Sequence, residues 1–552
     1  MKWKIKLHNG EVYSGDQQAD ASGKLIVACD LPDDRLEEVS ACLHVPLPQD
    51  TMIFMNGYQT WTYCRERGET GTTRGVGSMP RPIVRHYSLD RYGDYHFTKY
   101  PEKKGRQQGV SYCYFRKKDS FYLIASLDEK PGYTLFEYDV STQDLTVRRD
   151  CKGVRCGGLF HAFDLFVCKG SEQAVFDAWF FAMGIQARTA KKIAGYSSWY
   201  NRYQNISEET IREDLKGCGE LLQQDDVFQI DDGWETFVGD WLHVDEKKFP
   251  GGMKKLVDDI HAKGLRAGLW LAPFVAEEKS EMYEKHPEWF LKHKGKKWKA
   301  GGSWSGYYAM DLDNAQFRSY LRDVFYTVLE EWGFDLVKLD FLYAVAPFPT
   351  LPEEMRDNPK LSHDEIKALK KEGFVAGYTE SRAARMIRAA AFLRELCGDK
   401  LILGCGTPIQ PAFGVFDYCR VSCDVTLDWD DKIYMKLINR ERPSTKHAIL
   451  TTLFRRQLDA RAHGNDSDVL ILRTENTKLT PEEKDKLATV AALFSSVFFT
   501  SDNMGTYDEN QKALYKKYRA FREAVNKKVS VSSDGEITVS WQAEEKEYRL
   551  KL

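Results

Sequence analysis

Val227-Phe228-Gln229-Ile230-Asp231-Asp232-Gly233-Trp234 is a short apolar run that stops on two adjacent carboxylates. The same construction recurs along the chain. Leu336-Val337-Lys338-Leu339 leads into Asp340-Phe341, and Tyr418-Cys419-Arg420-Val421 leads into Ser422-Cys423-Asp424. Arg266 to Leu271 ends on Trp270-Leu271-Ala272-Pro273 instead. Further strand candidates are Gly195–Trp199, Leu401–Leu403, Val469–Leu472 and Ser496–Phe499. Amphipathic helical stretches separate these runs, and that alternation predicts βα units around a parallel sheet. Eight such runs over roughly 300 residues predict a (β/α)8 barrel with long loops. The fold class is therefore α/β.

The flanks read differently. Residues 1–185 carry strand-like segments such as Lys24–Ala28, Phe121–Ser126 and Asp164–Cys168. Turn signals at Asp30-Leu31-Pro32-Asp33-Asp34 and Lys130-Pro131-Gly132 separate segments of this kind, and a β-sandwich is the natural package. The barrel is assigned to 186–501. A small antiparallel β-sheet domain follows at 502–552, with an Asp534-Gly535 turn between Val529–Val531 and Ile537–Val539. The stretch from Tyr343 to about Ser381 reads as a long excursion with its own helix.

Composition narrows the function. Lys+Arg number 79 against Asp+Glu 82, a formal charge of −3, which argues against a nucleic-acid binder. No run approaches the ~20 apolar residues of a membrane span. The N-terminal residues lack a signal-peptide core, and the 12 scattered cysteines fit free thiols in a reducing compartment, so a cytoplasmic protein is expected. Cys405, Cys419 and Cys423 have no partner His at zinc-like spacing, and no metal or other cofactor is expected. Gly404-Cys405-Gly406 lacks the Lys-Ser/Thr of a phosphate loop.

In barrels of this kind the chemistry sits at the C-terminal strand ends. A charged residue there carries a desolvation cost unless it is paired or used. Lys338 has a purely structural reading, as an ion pair with a neighbouring carboxylate. Several such ends on one rim favour a site. Carboxylates with Trp and no metal cluster suit carbohydrate: hydroxyls for the charges, C–H faces for the rings. Asp340 and Asp424 are the best-placed pair of carboxyls for glycosidic cleavage. Asp428, Asp430 and Asp431 read as a solvated loop.

At these residues the chain resembles the α-galactosidases of glycoside hydrolase family 36, in their shorter bacterial branch. The matching stretches are Tyr58–Trp61, Ser198–Tyr200, Phe228–Asp232, Gly239–Trp241, Trp270 with Ala272–Phe274, Lys338–Leu342, Leu403–Pro408 and Arg420 to Asp424. The resemblance implies a retaining hydrolase releasing terminal α-linked galactose. Asp340 would be its nucleophile and Asp424 its acid/base. It further implies that Asp231 and Asp232 grip the O4/O6 side of galactose, with Lys338, Arg420, Cys405 and Gly406 near the sugar. Trp199, Trp241 and Trp270 would wall the pocket, and Trp61 would close it from the sandwich. The expected partner is a galactose-terminated carbohydrate, with neither nucleic acid nor membrane, and with an oligomer left open. An α-N-acetylgalactosaminidase, a transglycosylase making raffinose-type sugars and a non-catalytic sugar-binding protein are the alternatives.

Overall fold

The computed structural model describes residues 1–552 except 74, 76–78, 87, 89, 92–95, 294, 352–376, 431–441 and 533–534. The helix expected within the excursion after Tyr343, Asp431, and Asp534 of the C-terminal turn lie outside the described residues.

Eight parallel strands close into a barrel: β1 (Ile193–Ser197), β2 (Val227–Ile230), β3 (Arg266–Leu271), β4 (Leu336–Leu339), β5 (Leu401–Gly404), β6 (Tyr418–Arg420), β7 (Gly464–Leu470) and β8 (Val497–Thr500). The barrel closes where Ile193 to Tyr196 pair with Val497 to Thr500. These strands are buried almost throughout, which is why most read as continuous apolar runs. At Gly195 a Cβ would meet the Val227 carbonyl oxygen at 2.1 Å, so β1 and β2 can pack only with glycine there.

Two barrel expectations need correction. Trp199 opens a short helix, Trp199–Arg202, rather than ending β1. β7 begins at Gly464, five residues before the apolar run that was read as the strand. Its first five residues, Gly464-Asn465-Asp466-Ser467-Asp468, are polar yet buried, with both carboxyls paired to Arg420 inside the barrel. Hydrophobic periodicity is blind to a strand of that kind.

The N-terminal region is an antiparallel sheet of eleven strands folded over on itself. Its hinge is a single long strand, Lys24–His44, whose first part pairs with Arg155–Gly170 and whose last part pairs with Asp144–Arg149 and Lys2–Leu7. The expected turn at Asp30–Asp34 is therefore strand. Pro32 has no N–H to give the ladder, and the pairing is irregular beside it, where Leu31 faces Gly158 and Asp34 faces Cys156. The two layers enclose a core containing Ile53, Phe115, Ile124, Phe136, Tyr138 and Val147.

The layer carrying Met52–Met55 and Tyr112–Lys117 is buried on its other face as well. Phe54, Tyr112 and Tyr114 meet Phe176, Trp179 and Phe454. Phe176 and Trp179 sit on the helix Glu172–Met183 that leads toward β1. The fully buried Arg455 bolts this contact together. Its guanidinium donates to Asn56 Oδ1 (3.0 Å) and to the carbonyls of Thr60 (2.8 Å), Gln59 (3.1 Å) and Val421 (2.9 Å).

After β8 comes a helix that was not anticipated, Glu509–Phe521, capped reciprocally by Asp508 and Gln511. The expected antiparallel sheet follows as Val525–Val531, Ile537–Ala543 and Lys546–Lys551. Trp541 stacks on Tyr548 at 5.4 Å and both meet Phe521.

Candidate active site

Asp231 and Asp232 follow β2 directly. Asp231 Oδ2 accepts hydrogen bonds from Lys338 Nζ (2.9 Å) and Gln229 Nε2 (2.7 Å), while its backbone N–H donates to Ser198 Oγ (2.9 Å). Lys338 is thus engaged with Asp231 rather than directly with Asp340. Burial is the largest influence and pulls the lysine pKa down, but Asp231, Cys405 and Asp340 together outweigh it, so the net shift is upward and Lys338 stays a cation. Asp232 Oδ2 accepts from Gln204 Nε2 (2.9 Å) and Trp304 Nε1 (2.9 Å).

Asp340 follows β4. Its Oδ1 accepts the Phe341 N–H at 2.7 Å, and Trp270 Nε1 lies 3.4 Å from Oδ2. Phe341 adopts φ 55°, a left-handed conformation that a bulky residue takes only where its surroundings enforce it. Gly406, on the loop after β5, packs against this turn. A Cβ there would lie 2.9 Å from Phe341 N and 3.0 Å from Asp340 Oδ1, and φ at Gly406 is +54°. Cys405 is fully buried, and burial pushes its thiol well up. Burial raises Cys419 and Cys423 likewise, Cys423 to about 12, the wrong direction for a thiolate ligand. Among the described residues no group of three His, Cys, Asp or Glu is arranged to hold a metal ion.

Asp424 lies one turn beyond β6. Arg420, buried at the end of that strand, donates to Asp424 Oδ1 (2.8 Å), Asp466 Oδ2 (3.0 Å) and Asp468 Oδ1 (2.8 Å). One cation therefore serves three carboxylates. Tyr200 OH and the Val425 N–H also donate to Asp468 Oδ2, at 2.6 and 2.8 Å. Burial, with Asp424 and Asp466 nearby, pushes Asp468 up to about 6 against the pull of Arg420. Asp424 is raised too. Burial is the main cause and the Asp340 charge adds to it, while Arg420 and Lys338 oppose.

Trp61 reaches this site from the sandwich. Its loop is tied to the one bearing Cys405 and Gly406 by Thr60 N–H to Thr407 O (3.0 Å) and Ile409 N–H to Tyr58 O (3.1 Å). The Trp61 ring meets Phe341 at 6.0 Å.

Residues 194–369 match the model of the Melibiase family. Among curated relatives, alpha-galactosidase 1 of Pediococcus pentosaceus is 29% identical over 163 residues, 27% of this chain and 21% of that protein. Alpha-galactosidase AgaA of Geobacillus stearothermophilus is 32% identical over 102 residues, 17% of this chain and 14% of that one. The aligned stretches thus span about a fifth or less of those relatives' length. A likeness over the whole chain comes from TtGalA, an alpha-galactosidase of Thermus thermophilus solved in complex with p-nitrophenyl alpha-D-galactopyranoside. It is 25% identical, with a TM-score of 0.72, over 99% of this chain and 98% of that one. The structure of the GH36 alpha-galactosidase AgaA shares the fold at 13% identity, with a TM-score of 0.56 over 98% of this chain and 80% of its own. The chain carries a Melibiase domain at residues 194–369, within a fold shared along its length with alpha-galactosidases.

The barrel mouth brings together Asp231, Asp232, Trp270, Lys338, Asp340, Arg420 and Asp424, with Trp61 and Gly406 beside Phe341. Trp199 is half-buried and lines a small cavity shared with Lys338, Arg420 and Asp468. Trp241 stands one layer back. It is 1% exposed, its ring packs on Trp234 and Trp270, and it supports the wall rather than forming it. The Gly239-Asp240-Trp241 stretch is fixed because Asp240 accepts the N–H groups of Glu281 and Met282. The loop after Asp424 is not solvated as expected: Asp428 is buried, and Asp430 pairs with Arg442.

Sequence reasoning missed Trp304, Phe341, Gln204, Tyr200, Asp466 and Asp468. Trp304 holds Asp232 and sits 5.1 Å from Phe341, at φ 51° on a loop with no strand-end signature. Asp466 and Asp468 had a usable signal. They are carboxylates immediately before the apolar run Val469–Leu472, the mirror of the pattern that located Asp231 and Asp340.

Proposed function

We propose that this chain is a retaining hydrolase of terminal α-galactosides. The observation that carries the reading is the unequal treatment of two strand-end carboxyls at one barrel mouth. Asp424 is raised by burial and by the Asp340 charge, with a quarter of its side chain open, while Asp340 is 6% exposed and accepts the Phe341 N–H. A raised, reachable carboxyl suits a proton donor, and one held fixed at the strand end suits a nucleophile.

In the first step an Asp340 oxygen bonds to C1 of the galactosyl unit as the C1–O bond to the leaving group breaks. The Asp424 proton goes to the departing oxygen. Asp340 has then lost its charge to the ester. One cause of the raised Asp424 pKa disappears, and Arg420 now favours the carboxylate. Asp424 takes a proton from water as its oxygen attacks C1, and Asp340 departs as carboxylate. We assign Asp231 and Asp232 to the O4/O6 edge, where a sugar unable to satisfy them would leave a buried carboxylate unpaired.

TtGalA has also been solved with stachyose and AgaA with raffinose, so galactose-terminated oligosaccharides are the substrate class we assign here. The twelve cysteines are all unpaired, in keeping with a reducing compartment, and no helix among the described residues is long and apolar enough to cross a membrane.

The test is hydrolysis of aryl α-galactoside and aryl α-N-acetylgalactosaminide, with product stereochemistry followed by NMR. We expect α-galactose as first product and preference for the unsubstituted sugar; β-galactose, or preference for the acetamido sugar, overturns the reading. Asp340→Ala is expected to abolish turnover. Azide should partly rescue Asp340→Gly, giving β-galactosyl azide.

A further inference from the structure

Glu235 is a carboxyl for which the mechanism above has no task. It lies three residues beyond Asp232 on the loop after β2, is 5% exposed, and has its carboxyl within hydrogen-bonding reach of the Asp232 carboxyl. Its Oε2 accepts the Gly233 N–H at 3.3 Å. Asp232 Oδ1 is buried and receives no hydrogen bond from any N–H or hydroxyl among the described residues, whereas Oδ2 already takes two. The cation that serves this strand end, Lys338, goes to Asp231. Two buried carboxyls in contact, with no cation paired to either among the described residues, do not both ionise readily; one of them keeps a proton.

We propose that Glu235 is the partner that keeps it, a positioning residue that acts as a neutral acid and donates a hydrogen bond to the sugar-binding carboxylate Asp232. This rests on the reading of Asp232 as a galactose ligand. The arrangement supplies Asp232 with a third donor and holds its plane without adding a positive charge that would compete with the sugar hydroxyls. Burial and the Asp232 charge raise Glu235 well above the usual carboxylate range, and burial raises Asp232 less. That is the ordering the assignment needs. The other charged groups near the pair are Asp231 on the same loop, and Lys248, Glu277 and Lys279. These last three line, with Glu235, Gln204 and Trp304, an outward cavity of about 290 Å³. Lys248 spends its donors on the carbonyls of Gln204 and Gly233, and Glu277 accepts from Val238 N–H and Ser305. The cavity gives the Glu235 proton a route to solvent that does not pass through the sugar pocket.

When pH rises far enough to ionise Glu235, two negative carboxyls face each other and the grip on the sugar fails. The loss is in binding, whereas loss of the Asp424 proton is a loss in turnover. The test is galactose affinity measured by calorimetry across pH, with no reaction involved. The wild type is expected to lose galactose affinity on the alkaline side. Glu235→Gln, a donor that cannot titrate, is expected to bind with the loss abolished. Glu235→Ala is expected to bind about tenfold more weakly at all pH values, the scale of one hydrogen bond to a charged group. An alkaline loss in Glu235→Gln equal to that of the wild type, or wild-type affinity in Glu235→Ala, overturns the proposal. Asp232→Asn separates the two ideas. If it binds galactose as the wild type does, the sugar-ligand reading falls. If it binds weakly while Glu235→Gln keeps the alkaline loss, only the proton-holding role falls.

Discussion

At Gly406 the backbone passes so close to Asp340 that no side chain fits between them. Gly406→Ala pushes a methyl against Phe341 N and Asp340 Oδ1 in a conformation that L residues rarely adopt. We expect kcat to fall by more than about tenfold, the scale of a small displacement of a reacting group, with circular dichroism unchanged. Wild-type kcat would show that the turn relaxes without moving the nucleophile. Asp468 invites a pH test. The Asp424 charge raises Asp468, and the two carboxyls share Arg420. Replacing Asp468 with Asn removes a negative charge, leaves Arg420 freer to stabilise the Asp424 carboxylate, and lowers the Asp424 pKa. The alkaline limb of kcat/KM should therefore move to lower pH. A drop in rate with the limb unmoved would mean that Asp468 only props up Arg420.

Among the elements, the seven apolar barrel strands were legible because parallel strands buried on both faces leave runs of aliphatic residues, and the charges that end them stand out. Asp231, Asp232, Asp340, Arg420 and Asp424 were readable for that reason. Of β7 only the end, Val469-Leu470, was legible, since its earlier inward residues are Asp466 and Asp468, and their burial is tolerable only with Arg420 in place, a partner more than forty residues earlier. Lys24–His44 was misread in the opposite sense: Pro32 signals a turn, but the strand runs through it by giving up regular pairing. Trp304 and Glu235 lie on loops, where position comes from tertiary contacts that no local pattern encodes. The element-scale prediction concerns β7. Asp466→Asn weakens the Arg420 bridge from one side only, so we expect thermal stability to fall by about 1–3 kcal/mol, the cost of an imperfectly satisfied buried group. Unchanged melting would deny that β7 depends on this bridge.

For the whole molecule, the barrel and the sandwich act as one unit because Arg455 joins Val421 of the barrel to Asn56, Gly57, Gln59, Thr60 and Cys64 of the sandwich. Arg455→Ala leaves the Gln59, Thr60 and Val421 carbonyls without that donor. We expect at least about 3 kcal/mol of destabilisation. Limited proteolysis should find new cleavage near residues 56–64, and KM should rise as Trp61 loses its seat. Cleavage and KM like those of the wild type would show that the aromatic contacts of Phe54 and Phe454 suffice.

The carboxyls proposed to break the bond belong to the barrel, but Trp61 arrives on a loop of another fold, tied at residues 58 and 60 to the loop after β5. On the proposed reading, the wall over the leaving-group side and the reacting carboxyls are therefore encoded in separate stretches of the gene. Randomising that short loop would re-tailor which aglycones are admitted while the catalytic engine stays untouched, an entry point for redesign that a barrel with only its own loops does not offer.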